Sequence, residues 1–138
     1  MTLHAYTDGA ARGNPGEGGI GVIIRDESGN VLYSHGEFIG VTTNNVAEYR
    51  ALIHCLDKAT GMTCDRLVVN SDSELVVRQV LGKYKVKDKK LALLHLEVNK
   101  ILKSAPWQFQ IVHVAREMNV EADLLANAGI DNRSPGRP

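Results

Sequence analysis

The sequence predicts an α/β domain built on a five-stranded mixed sheet, with three antiparallel strands first, parallel strands after them and helices on the flanks. Two observations predict it. Residues 2 to 39 hold three β-type runs joined by turn residues, and the remainder alternates β-branched runs with apolar stripes at helical spacing. No internal repeat interrupts that order.

Thr2 to Asp8 reads as the first strand, stopped by Gly9 and a glycine-rich turn running to Gly19. Ile20 to Arg25 is a nearly continuous β-branched run, Glu27-Ser-Gly-Asn30 is a hairpin turn, and Val31 to Ile39 returns antiparallel. The first helix follows. Asn45 and Glu48 have the spacing of an N-terminal capping pair, and Ala51, Leu52, Cys55, Leu56 and Ala59 form its apolar stripe. After Gly61, Arg66 to Ser71 reads as a buried strand and Glu74 to Leu81 as a short helix. A basic connector, Lys83 to Lys87, leads into a helix with Leu91, Leu94, Val98, Ile101 and Leu102 on one face, ending near Pro106. Trp107 to Val114 is the last strand and Asn119 to Ala128 the last helix. Residues 1–130 thus make one domain, and 131–138, rich in Pro, Gly and Arg, read as a disordered tail.

Formal charge balances at zero, which gives no sign of the strong cationic field of many nucleic-acid binders. The distribution is uneven. Residues 1 to 82 carry six Lys or Arg against ten Asp or Glu, and residues 83 to 138 carry ten against six, which suits an acidic site beside a basic flank. Cys55 and Cys64 match no metal spacing and read as reduced thiols. No apolar run is long enough to span a bilayer, and Met-Thr-Leu-His-Ala lacks the regions of a signal peptide, so a soluble cytoplasmic protein is expected.

Four acids stand out. Asp8 closes the first strand and Asp72 follows the strand ending at Ser71, and such carboxyl ends border the usual ligand crevice of α/β sheets. Glu48 falls on the apolar stripe of its helix, where a carboxylate needs a donor, a proton or a cation. Asp123 lies one turn into the last helix. Converging, the four would repel one another unless metal neutralised them, and hard oxygen donors favour Mg²⁺ or Mn²⁺ over zinc. Two such ions can activate a water and stabilise the leaving oxygen of a phosphodiester. Taken singly, each acid has a plainer reading: Asp8 as a turn initiator, Asp72 as a helix cap, Glu48 as the capping partner of Asn45, and Asp123 as a solvated acid.

In combination these residues resemble type 1 ribonuclease H over the chain to about Gly129. Tyr6-Thr-Asp-Gly-Ala-Ala-Arg-Gly-Asn-Pro-Gly is similar to that family's first block, which implies a catalytic role for Asp8 and a substrate contact for Asn14. Thr42-Thr-Asn-Asn-Val-Ala-Glu-Tyr-Arg-Ala-Leu resembles the second, with Glu48 catalytic, Thr43 at a phosphate contact, and Asn44 and Asn45 near the nucleic acid. Asn70-Ser-Asp-Ser supplies Asp72, and the run from His113 to Asn127 supplies Asp123. The resemblance implies an RNase H-like fold and an endonuclease that cuts the RNA strand of an RNA·DNA hybrid with two Mg²⁺ per site, Mn²⁺ being the substitute, leaving 3′-hydroxyl and 5′-phosphate ends. RNA specificity has a physical basis in the 2′-hydroxyl, which Asn14 and Asn45 can recognise.

The sequence also departs from the fuller members of the family. Lys83, Lys85, Lys87, Lys89 and Lys90 occupy the stretch where many relatives carry a basic helix and loop, and Lys85, Lys87 and Lys89 are the candidate substrate contacts there. These lysines read equally as a solvated helix entrance. No separate N-terminal hybrid-binding domain is expected. The loop before Asp123 is shortened to Ala115-Arg-Glu-Met118, where Arg116 resembles the arginine of a shorter-loop subgroup; its alternative is a surface pair with Glu117 or Glu121. His113 reads as a strand residue. Alternatives in function are a noncatalytic nucleic-acid-binding module of the same fold and a nuclease acting on double-stranded RNA or on recombination intermediates. No membrane association and no obligatory protein partner are expected.

Overall fold

The computed structural model describes residues 1–132. Its strands are β1 (Thr2–Gly13), β2 (Gly16–Arg25), β3 (Val31–Thr42), β4 (Arg66–Ser71) and β5 (Gln108–His113). The α-helices are α1 (Asn44–Thr60), α2 (Glu74–Val80), α3 (Lys89–Ser104) and α4 (Val120–Asp131), with a short 3₁₀ turn at Arg116–Met118. The sheet order is β3-β2-β1-β4-β5. β1, β2 and β3 pair antiparallel and β4 and β5 join in parallel, the mixed sheet that the sequence predicts.

Alternation along the strands sorts the two faces of the sheet. Leu3, Ala5, Val22 and Ile24 point into the main core with Tyr49, Leu52 and Leu56 of α1, and Val98 of α3 closes it from outside. On the opposite face Ala122, Ala126 and Ile130 of α4 are fully buried against β2. Trp107 lies just before β5, and its indole nitrogen donates to the Ala59 carbonyl oxygen at 2.9 Å, tying the last strand to the end of α1.

The glycine-rich stretch is the main departure from expectation. β1 does not stop at Asp8 but continues to Gly13, and β2 already begins at Gly16, so only Asn14 and Pro15 remain between the two strands. Gly13, with a φ of +102°, turns the chain at the hairpin, but Gly9 and Gly21 serve close approach. A β-carbon on Gly9 would lie 2.1 Å from the Ala47 carbonyl carbon of α1, and one on Gly21 would lie 2.0 Å from the Ala122 carbonyl oxygen of α4. Both helices therefore pack with backbone against backbone beside Asp8.

Other boundaries shift less. β3 runs three residues further than Ile39, because its pairing with β2 continues to Gly16↔Thr42. Helix α4 extends through Asp131, so Asp131 is helical rather than part of a tail, and residues 133–138 of the expected tail lie outside the described residues. Cys55 and Cys64 are free thiols. Among the described residues no helix is long and apolar enough to cross a membrane.

Candidate active site

Three carboxylates meet where the parallel part of the sheet ends. β1 and β4 run in register as far as Thr7↔Ser71, and Asp8 and Asp72 are the next residue on each path. Asp8 thus marks the carboxyl end of the parallel pairing although not of its strand, because β2 still pairs Gly21 with it. Two serines flank Asp72. The Ser73 amide donates to Ser71 Oγ at 3.1 Å, and Ser73 Oγ accepts from the Val76 amide as the N-cap of α2. Asp72 is therefore not the helix cap and is free to face the cleft.

Glu48 also loses its plainer reading. The N-cap of α1 is Thr43, whose hydroxyl oxygen accepts from the Val46 amide at 3.3 Å, and Asn45 lies inside the helix. Glu48 instead reaches across to the sheet, where its Oε1 accepts from the Gly9 amide at 2.9 Å. One carboxylate oxygen from each of Asp8, Glu48 and Asp72 lies within 4.8 Å of the others.

Asp123 stands outside that trio but borders it. It occupies the first turn of α4, its amide donating to the Asn119 carbonyl at 3.1 Å, and its carboxyl helps raise the pKa of Asp8. Burial contributes most to the rise at Asp8, to about 10, and Glu48, Asp72 and Asp123 push the same way. Glu48 is pushed up to about 8 by burial and by Asp72, against the smaller opposing effects of the Gly9 amide and Arg116. Hard oxygen donors that burial and mutual repulsion keep from ionising suit a divalent cation, which can replace the protons they otherwise hold.

Arg116 sits on the rim. It opens the 3₁₀ turn before α4, its side chain is 90% exposed, and its Nε lies 4.0 Å from Asp72 Oδ2. Glu121, one of its expected partners, is bonded instead to Arg25 at 2.6 Å.

The asparagines divide between cleft and support. Asn44 and Asn45 line the cleft with Asp8, Glu48, Asp72 and Arg116. Asn44 Oδ1 accepts from the Ala11 amide at 2.9 Å, and the Asn44 amide donates to Asn14 Oδ1 at 3.1 Å, which locks the tip of the β1–β2 hairpin to the start of α1. Lys85, Lys87 and Lys89 are exposed and do not line the cleft; Lys89 is the first residue of α3.

Sequence reasoning missed two buried asparagines. Asn70 Nδ2 donates to the Ala5 carbonyl at 3.0 Å and Asn119 Nδ2 to the Thr7 carbonyl at 2.8 Å, so both hold the backbone of β1 just ahead of Asp8. The available signal was a polar side chain at the end of a buried strand and at a helix entrance, where it has no water to satisfy it.

A family model described as "Reverse transcriptase-like" matches residues 6–129. A ribonuclease HI of Halobacterium salinarum is 37% identical over 130 residues, covering 94% of this chain and 65% of that protein. A ribonuclease H of Anaplasma marginale is 34% identical over 142 residues, with 93% of this chain and 90% of the relative aligned. The chain spans only 36% of a bifunctional protein of Mycobacterium tuberculosis to which it is 39% identical. Among solved structures, LC11-RNase H1 in complex with an RNA/DNA hybrid superposes with a TM-score of 0.90 at 44% identity, covering 95% of this chain and 98% of that one.

Proposed function

This chain belongs to the ribonuclease H family, and we propose that it cuts the RNA strand of RNA·DNA hybrids at the carboxylate cluster. The observation that carries the reading is the convergence of Asp8, Glu48 and Asp72 within 4.8 Å at the end of the parallel strand pair. That the LC11 relative is an RNase H1 bound to a hybrid supports the choice of substrate.

Asp8, Glu48, Asp72 and Asp123 would hold two Mg²⁺ ions, with Mn²⁺ as a substitute. Bound there, such a pair supplies activation of a water and stabilisation of the leaving 3′ oxygen, giving 3′-hydroxyl and 5′-phosphate ends. The chain's own residues do the rest. The Gly9 amide fixes the Glu48 carboxylate, and the serines around Asp72 fix its backbone, so the acids enter the reaction already oriented. Arg116, exposed on the rim, meets charge developing on the scissile phosphate from the solvent side. Asn14 and Asn44 turn their amide oxygens inward, which leaves each Nδ2 donor for a 2′-hydroxyl or a sugar oxygen of the RNA strand. The Thr43 hydroxyl accepts within the helix cap and keeps its own proton for a backbone phosphate. Asn45 shares the cleft wall, and Lys85, Lys87 and Lys89 contribute longer-range attraction for the duplex. A cytoplasmic setting belongs to the same reading.

The test incubates labelled RNA·DNA, RNA·RNA and DNA·DNA duplexes of one sequence with the protein in Mg²⁺, Mn²⁺ or chelator. Cleavage of the hybrid's RNA strand alone, lost in chelator, is the expected result. Equal cleavage of RNA·RNA would move the substrate to double-stranded RNA, and binding without cleavage would make the chain a noncatalytic module.

A further inference from the structure

Away from the carboxylates, β3 and α1 bring a second set of metal-type donors together. Tyr33, His35 and Glu37 occupy alternate positions of β3 opposite Ile24, Val22 and Ile20, so all three share the α1 side of the sheet. His54 projects toward them from α1. His35 Nε2 lies 2.8 Å from Glu37 Oε1, and the His35 and His54 rings stack with centroids 4.4 Å apart and 6° between their planes. One donor atom each from His35, Glu37 and His54 falls within 4.8 Å of the other two. The hydrolytic site uses none of these residues.

We propose that His35, Glu37 and His54 bind one Zn²⁺ ion, which clamps the edge strand β3 to helix α1. Two imidazoles and a carboxylate with a fourth position open to water form a set that zinc accepts, whereas Mg²⁺ favours oxygen donors throughout. Ligands on a tetrahedral zinc stand about 3.3 Å apart at bond lengths of about 2.0–2.1 Å, and an imidazole binds in its own ring plane, so one of the two stacked rings turns out of the stack for the three donors to close on one ion. Room for that motion exists. β3 is the outermost strand, and the side chains of His35 and Glu37 are 32% and 46% exposed, which also opens a path for the ion.

Tyr33 supports the arrangement through its hydroxyl, 2.7 Å from His54 Nε2. Zinc bound at Nδ1 of His54 keeps that contact as an outer hydrogen bond that orients the ring. Zinc bound at Nε2 displaces it, and Tyr33→Phe distinguishes the two. The Lys58 ammonium, 5.5 Å above the Tyr33 ring, opposes a cation here, but it ends a flexible stem and can swing into solvent.

The test titrates Zn²⁺, with Mg²⁺ as the control, into the full chain. Imidazole nitrogen NMR signals and thermal unfolding report the result. His35 and His54 signals should move with one equivalent of Zn²⁺ while those of His4, His95 and His113 stay, and the melting temperature should rise. Affinity should drop at least tenfold in His54→Gln and in His35→Gln but not in Asp72→Asn, which separates this site from the carboxylate cluster. Both glutamine variants should keep the parent's Mg²⁺-dependent activity. His35 lies on the exposed edge, so His35→Gln remains informative if His54→Gln folds poorly. Unmoved His35 and His54 signals at saturating Zn²⁺, or parental zinc affinity in His35→Gln, would overturn the proposal.

Discussion

The Gly9 amide donates to Glu48 Oε1 at 2.9 Å, and the same glycine leaves no space for a β-carbon beside the Ala47 carbonyl of α1. One residue thus sets both the distance between α1 and β1 and the orientation of a site carboxylate. Gly9→Ala should force backbone from backbone and destabilise the protein by about 3 kcal/mol, with loss of hybrid cleavage even where the variant is folded. Urea melts and turnover at low temperature read the two effects, and a variant with the parent's midpoint would show that the approach is not tight.

A second prediction concerns pH in chelator. Asp8 and Glu48 titrate at about 10 and about 8 in the folded protein, well above ordinary carboxylates. The folded state then holds protons that the unfolded chain has released, so these groups' stabilising share is complete below about pH 4 and is lost as pH rises through the folded values. The melting temperature of the parent should fall between pH 5 and 9 in chelator, and Mg²⁺ should restore it at the alkaline end. Asp8→Asn should flatten the profile, raise the melting temperature at pH 8 and abolish cleavage. A parent profile as flat as the variant's would show that the acids do not repel one another.

Asn119 is expected to act through position. Its side chain, 1% exposed, bonds the Thr7 carbonyl next to Asp8, and its own carbonyl receives the Asp123 amide. Asn119→Ala should cost about 1–3 kcal/mol by leaving that carbonyl unpaired. It should also raise the Mg²⁺ concentration needed for half-maximal rate while the KM for hybrid stays unchanged. A stability loss with an unaltered Mg²⁺ requirement would leave Asn119 a purely structural residue.

Arg116→Ala should lower turnover by on the order of tenfold to a hundredfold, less than a buried donor would, because solvent screens a side chain so exposed. Arg116→Lys should recover part of that, a point charge lacking the guanidinium fork. Single-turnover and steady-state rates measured together separate chemistry from product release. Parental values for both in Arg116→Ala would return the residue to the ordinary surface charges.

Replacing Lys85, Lys87 and Lys89 with Ala should weaken hybrid binding and reduce the slope of log affinity against log salt by about 2. Turnover at saturation should change little, because none of the three lines the cleft. Identical slopes for both proteins would make this stretch a solvated helix entrance.

The order of strands and helices could be read from the sequence because it rests on local pattern, while the four acids stood out only in combination, and the structure brings Asp8, Glu48 and Asp72 together. Alternation in the strands, the helical stripe from Ala51 to Ala59 and an acid on that stripe are visible without partners. What only the tertiary structure decided concerns residues whose roles depend on a neighbour from another element. Gly9 reads as a turn residue, yet it is a strand position, and there and at Gly21 a helix presses against the sheet, a contact between residues far apart in the chain. Thr43 rather than Asn45 caps α1, because Glu48 is drawn away to the Gly9 amide and no longer closes a capping box. The pairing of His54 with His35 and the hold of Asn119 on Thr7 have the same origin. Hydrophobic period is a property of consecutive residues, whereas a hydrogen bond or a backbone contact across the sheet exists only once packing has set the distance between the two partners.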